Sequence, residues 1–393
     1  MLGRISAALQ SAVETIVPPV PLLEDFLYHW RMITKFYSNT TSNFREPIES
    51  TNVGAHIEQL MKILIEEETE RKNSNDAKGQ PISSDDDIST GPCLEYLLEH
   101  RLLEILTNLA ATDQPIGMRT FCLEFFSRLL SHLRAPILPH VAIISPMKKV
   151  VELCIQTKAS PTEIEEVNFL CTLCAVMGKN PTLINVYLSV TGENASSENS
   201  SEKTEIDSSV STSAVPVNQA EEPPRLQLCD ALLNYLQSAD YRVVLRACEG
   251  LMLLSSLPSD FLAGTLVLSG LHEALPHRLA HLFNSIPLDL DPNNMDDVHV
   301  TWGLDSPQWI EGSKFPGCHQ VAAFLAWLDY CDQMVRESHP CIGGALAVAI
   351  KEHFFKCCIQ TSLYEADCGA AVILATAELS KCIRMISAPC LLE

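Results

Sequence analysis

Val243-Val244-Leu245-Arg246-Ala247-Cys248-Glu249-Gly250-Leu251-Met252-Leu253-Leu254 decides the fold class. Val243, Val244, Ala247, Cys248, Leu251 and Leu254 recur at intervals of three and four, the period of one helix face. A half-buried strand would alternate instead. Leu251-Met252-Leu253-Leu254 is apolar all round, which predicts a helix end enclosed by neighbours. The same spacing continues in both directions. Leu94, Leu98, Leu102, Ile105 and Leu109 read as one apolar stripe, with Glu95, Glu99 and Glu104 mainly on the other side. Val321 to Val335 carries Phe324, Leu325, Trp327 and Leu328 as its apolar block. Cys341 to Ile350 and Ala370 to Ala377 are short apolar runs that fit buried core helices.

Helix starts recur as a polar residue or Gly followed by Pro. Gly91-Pro92, Ser145-Pro146, Ser160-Pro161 and Asn180-Pro181 each suit Pro at the first helical position, where its missing N–H costs nothing. Ser160-Pro161-Thr162-Glu163 is a capping box, and Gly178 marks where the helix after it should end. The helices run about 12 to 20 residues with short polar turns between them, and strand runs are almost absent. The expectation is an all-α fold: an irregular alpha-solenoid of stacked antiparallel helices, armadillo- or HEAT-like, with disordered loops. No fixed period names a repeat.

Composition divides the chain. Residues 1–190 read as an N-terminal helical array with an acidic loop near 70–91. Residues 191–224 are Ser, Glu, Thr and Pro with almost no large apolar side chain, and read as a disordered loop. Residues 225–393 continue the array. At 393 residues, 47% hydrophobic and 19% charged, the chain can bury a large core. Aromatics are only 6%, which suits helix packing better than a β-sandwich.

The net charge of −22 argues against phosphate contacts, so nucleic acid is not an expected partner. No apolar run reaches the length of a transmembrane helix. Met1 to Val17 lacks the form of a signal peptide, since Gln10 and Glu14 interrupt it. Leu2, Ile5, Leu9, Val13 and Ile16 instead form an amphipathic stripe, read as a first helix capping the fold, with a membrane-surface helix as the alternative. The 15 Cys are therefore expected as free thiols of a cytoplasmic protein. The glycosylation sequons at Asn39 and Asn194 count as accidental in that setting.

Five constellations imitate chemistry. His272-Glu273-Ala274-Leu275-Pro276-His277 spaces its histidines five apart with Pro276 between, where a zincin needs four on one face. Asp289, Asp291, Asn293 and Asp297 resemble a calcium loop, but Asn294 stands where the Gly belongs and Val300 where the bidentate Glu belongs. Cys171 and Cys174 lie mid-helix between Phe169, Leu170, Leu173 and Val176, as small hydrophobes. Cys357-Cys358 and Cys318-His319 lack partners in sequence. Phosphate-loop, nucleophile-elbow, dinucleotide and kinase patterns are absent. The chain is expected to be no enzyme and to hold no metal or cofactor.

Several longer strings are more specific. They are Pro21-Leu22-Leu23-Glu24-Asp25-Phe26-Leu27-Tyr28-His29-Trp30, Gly91-Pro92-Cys93-Leu94-Glu95-Tyr96-Leu97-Leu98, Ala247 to Leu254, Trp302-Gly303-Leu304-Asp305-Ser306, and Phe324-Leu325-Ala326-Trp327-Leu328-Asp329-Tyr330-Cys331-Asp332-Gln333. Together they resemble the Hook-interacting protein family of the FTS–Hook–FHIP complex, also called retinoic-acid-induced-sixteen-like, and its second subgroup most. The resemblance covers nearly the whole chain. It implies a helical, non-enzymatic adaptor that joins Hook proteins, FTS and, indirectly, dynein to vesicles marked by a Rab small GTPase. Its place would be cytoplasmic, peripheral on early secretory or endosomal carriers. The alternative is a peripheral scaffold that acts through the N-terminal amphipathic helix without Hook. Family members continue beyond the apolar end at Ala388-Pro389-Cys390-Leu391-Leu392-Glu393, so the chain reads as a fragment or truncated form. Tyr28, Trp30, Trp302 and Trp327 are expected in the core. Glu24, Asp25, Asp305, Asp329 and Asp332 are the candidate interface residues.

Overall fold

The structure is a computed structural model that describes residues 21–39, 46–77, 90–133, 137–157, 159–188, 225–303, 315–365 and 369–393. Among them every regular element is helical, and a single-residue bridge joins Pro47 to Ile116. Met1 to Val17, residues 78–89 of the acidic stretch and residues 191–224 lie outside the described residues. The chain divides into two compact units, 1–176 and 177–393.

The first unit holds α1 (Leu22–Asn39), a 3-10 turn (Ile48–Ser50), α2 (Val53–Ala77), α3 (Pro92–Glu99), α4 (Leu102–Thr112), α5 (Met118–His132), α6 (Val141–Gln156) and most of α7 (Glu163–Lys179). Helices near in sequence pack together: α1 on α2, α2 on α5, and α4 on both α5 and α6. The stripe from Leu94 to Leu109 is two helices, not one. Arg101 takes a left-handed conformation (φ 52°) between α3 and α4 and turns the chain. The phase of burial therefore resets: Leu94 and Leu97 face inward on α3, then Leu102, Leu103 and Leu106 on α4, leaving Ile105 exposed.

Gly91-Pro92 opens α3 as its spacing predicts. Gly91 has no side chain to cap with, so the cap comes from α2. The buried Glu67 carboxylate accepts from the Cys93 N–H at 2.8 Å and the Leu94 N–H at 3.2 Å. An acid at a helix N-terminus also meets the positive end of the dipole. Ser145-Pro146 does not open a helix. The α6 helix begins at Val141, capped by the His140 ring, and Pro146 lies within it, where it lacks the N–H that would pair with the Ala142 carbonyl. At Ser160 the hydroxyl accepts the Thr162 N–H at 3.2 Å.

The second unit holds α8 (Thr182–Tyr187), α9 (Gln227–Tyr235), α10 (Tyr241–Ser255), α11 (Asp260–Leu268), α12 (Leu271–Phe283), a 3-10 turn (Pro292–Met295) and α13 (Cys318–Glu337). It continues with α14 (Pro340–Ile350), a π-helical stretch (Lys351–Gln360), α15 (Thr361–Glu365), α16 (Gly369–Met385) and α17 (Pro389–Leu392). The α13 helix packs against α10, α12, α14 and α16, so it is buried on nearly every side. That is why its sequence is apolar beyond a single stripe. Phe283, Phe324 and Phe354 meet with ring centroids 5.6–5.7 Å apart and tie α12, α13 and the π-helical stretch together. On α10 the predicted stripe is buried in full, but Leu253 is 42% exposed, so the helix end is not enclosed all round. It sits two positions from Leu251, about 200° round the helix.

Glu378 on α16 is buried, and burial pushes its carboxyl from 4.5 up to about 7. A folded-state value above the unfolded one stabilises fully below pH 4.5 and is lost as pH rises towards 7. Glu378→Gln is therefore expected to flatten the decline of stability across that window. It should raise stability at pH 8 by about 2 kcal/mol, read by urea unfolding at a series of pH values. An unchanged pH profile would refute the assignment.

Candidate protein interface

On α1, Phe26, Trp30 and Ile33 are buried and define the inward stripe. Tyr28 lies about 200° from Phe26 and is 53% exposed, so the expectation of a core tyrosine is corrected by helix phase. Glu24 is exposed and Asp25 half-buried, both in the first turn, where the helix dipole favours acids. Asp25 Oδ1 lies 3.5 Å from His29 Nε2, and His29 Nδ1 lies 2.8 Å from His56 Nδ1 on α2. The Tyr28 ring stands edge-on to both imidazoles. Burial, then the His29 ring, hold His56 below its ordinary value. The outward edge of α1 is thus a tyrosine, two acids and His29, paired with His56 of α2.

The α13 acids are placed differently. Asp329 Oδ2 accepts the Trp302 N–H at 3.0 Å, and burial raises its carboxyl while that N–H works in the opposite direction. Gln333 accepts from the Trp302 indole N–H. Asp332 is 1% exposed. Its Oδ1 accepts the Ser387 and Ala388 N–H groups at 2.9 and 2.8 Å, and Oδ2 accepts from Arg336 at 3.1 Å. Both acids hold neighbouring segments in place. Asp305 lies outside the described residues. Trp327 is buried and donates to the Leu275 carbonyl, as a core tryptophan should, while Trp302 is half-buried.

Among the described residues no group of three or more His, Cys, Asp or Glu side chains converges as metal ligands. His272 and His277 both lie on α12, and the His277 ring stacks on His353, 5.1 Å away. Asp291 caps the 3-10 turn by accepting the Asn293 N–H at 3.0 Å. Cys171 and Cys174 are buried on α7. Burial pushes the thiols of Cys93, Cys122, Cys229, Cys331 and Cys382 up, away from the reactive thiolate.

Sequence reasoning missed one surface. Phe261 and Leu268, seven apart on α11, are exposed, and so are Gly344 and Val348 on the adjoining α14. His339 Nε2 and Asp260 Oδ1 stand 3.2 Å apart where these two helices begin. Between α12 and α14 an open groove of about 420 Å³ runs past His272, Glu273, Ala345 and Val348. The α11 sequence is apolar all round, so periodicity could not say which side would be left uncovered. No described helix is long and apolar enough to cross a membrane.

The whole chain aligns with the human FHF complex subunit HOOK-interacting protein 1A at 23% identity, covering 34% of that protein. It aligns with the mouse protein of the same name at 23%, covering 33%. An FHIP family protein of Drosophila willistoni is 22% identical over 95% of the chain and 32% of its own length. The chain thus spans about a third of the length of the curated relatives it matches. The family model described as retinoic acid induced 16-like protein matches residues 93–393. A match over most of the chain, through both helical units, places it: the chain belongs to the retinoic acid induced 16-like family.

Proposed function

We propose that the chain is a non-enzymatic adaptor that binds Hook-family proteins. One observation carries this reading: the whole chain aligns with proteins named as HOOK-interacting subunits of the FHF complex. The helical architecture supports it, because stacked helices offer broad surfaces instead of a converging reaction centre. Following the family resemblance, FTS is the second partner, a Rab small GTPase marks the vesicle, and dynein is reached through Hook. The place of action is the cytoplasmic face of early secretory or endosomal carriers. The test is capture of Hook C-terminal segments, FTS and a panel of GTP- and GDP-loaded Rab proteins by the purified chain. Capture of a Hook segment, with a Rab retained only in the GTP form, is the expected result. Failure to retain any of them removes the reading.

Glu24 and Asp25 are the acidic candidates on the edge of α1. Glu24→Lys with Asp25→Lys is expected to weaken capture of one partner about tenfold, mainly by slowing association. Thermal stability should fall by about 0.5 kcal/mol through the lost dipole interaction. Unchanged capture, measured by surface plasmon resonance at two salt concentrations, would move the interface away from α1.

A further inference from the structure

Arg278 on α12 is a cation without a counter-ion: no carboxylate lies within ion-pair distance of it among the described residues. Its guanidinium lies 4.8 Å from the centroid of the Trp327 ring, and one terminal nitrogen donates to the Leu236 carbonyl. Its Nε is buried and has no acceptor. Burial pulls the guanidinium below its ordinary value. It remains charged nonetheless, because an arginine is not deprotonated in proteins. Half-buried, the guanidinium has the Leu236 carbonyl and the Trp327 face as its partners among the described residues, and no anion.

Two spaces meet at this group. One is an apolar cavity of about 80 Å³ between α10, α12 and α13, walled by Val244, Leu282, Trp302, Trp327 and Tyr330. Several water volumes fit there, yet the wall offers little to hold water. The other is a wider, open vestibule of about 480 Å³, edged by Ser238, Tyr241 and His319. Arg278, Tyr241, Val244 and Ala323 line both, so the cation stands where the wider space passes into the smaller one. A ligand that satisfies both sides has an anion at the guanidinium and a compact apolar group beyond it.

We infer that this pocket binds a carboxylate carried on a short branched aliphatic stem, with the carboxylate on Arg278 and the stem in the apolar cavity. A carboxylate fits the fork of a guanidinium, and a leucine-sized group suits the volume. Two sources share this chemistry: a free branched acid, and the C-terminal leucine of a peptide. The inference stands apart from Hook binding, and its probes contain no Hook segment.

The test uses the full chain, with tryptophan fluorescence and thermal melting as readouts, since Trp302 and Trp327 wall the cavity. The probes are 4-methylpentanoate, 4-methylpentylamine with the same stem and the opposite charge, and acetate with the charge and no stem. 4-Methylpentanoate is expected to bind saturably and at least about tenfold more tightly than either. Arg278→Met should abolish that preference while leaving amine binding unchanged, and Arg278→Lys should retain part of it. If Arg278→Met fails to fold, Ala323→Leu gives the answer, because it fills the passage and should remove binding with the charge in place. A leucine-terminated peptide that binds more tightly than the free acid, but not as its amide, identifies a peptide end as the source. A free acid that binds more tightly than the peptide identifies a small molecule. Equal binding of acid and amine, or no saturation by any carboxylate, overturns the inference.

Discussion

Asp332→Ala is expected to lower the stability of the second unit by about 4 kcal/mol. The magnitude follows from what the carboxylate holds. The segment after α16 turns back against α13 at Ser387 and Ala388, and their two N–H groups end on one oxygen of Asp332. Ala388 is buried, so no water replaces that acceptor. A buried N–H left without a partner costs about 1–3 kcal/mol, and the second N–H adds part of that again. The Arg336 ion pair contributes least, because its guanidinium side chain is 39% exposed. Arg336→Ala should therefore cost under about 1 kcal/mol. Asp332→Asn keeps one acceptor and should lose about half of the alanine effect. Hydrogen exchange separates this account from a general loosening: the Ser387 and Ala388 amides should lose protection first. Alanine and arginine variants of equal stability, with those amides still protected, would falsify it.

The residues at issue show what sequence alone could deliver. Helical character was legible almost everywhere, because the i, i+3, i+4 recurrence of Val243 to Leu254 is a local property that survives packing. Breaks were less legible. Nothing in Leu98-Glu99-His100-Arg101 is Gly or Pro, so a left-handed Arg101 gave no sign, and two helices read as one. Caps drawn from afar were also hidden: Glu67 reads as part of an acidic run and yet caps a helix 26 residues onward. The α13 acids make the same point about the candidate interface. A charged residue beside a core stripe in sequence is equally consistent with a surface contact and an internal cap. Only the fold distinguishes exposed Glu24 from Asp332, which is bound to its own chain. Arg278 falls in this class too, since its lack of a counter-ion among the described residues is a fact about three helices and not about one.

A neighbouring case in the first unit predicts an effect of similar size. Glu166 on α7 is 1% exposed and Arg119 on α5 is 11% exposed, with Nη1 and Oε1 3.3 Å apart. Both ends are held by further bonds. Arg119 Nε donates to the Ala110 carbonyl at the end of α4, and the Thr162 hydroxyl donates to Glu166 at 2.8 Å. The pair therefore fastens α4, α5 and α7 at one point. Glu166→Ala strips the acceptor from a buried guanidinium and is expected to cost about 4 kcal/mol. Glu166→Gln retains an oxygen in the same place and should cost about half as much. The double variant Arg119→Met with Glu166→Leu removes both charges and restores apolar packing, so it should recover most of the loss. The decisive quantity is the coupling energy of the cycle, from urea unfolding monitored by circular dichroism. A coupling of at least about 2 kcal/mol is expected for residues in one buried network. Additive losses would mean that each side chain is held by its own backbone partners and that the junction of α4, α5 and α7 does not depend on the charge pair. That outcome would leave Glu166 as a local partner of Thr162 and Arg119 as a local cap on α4.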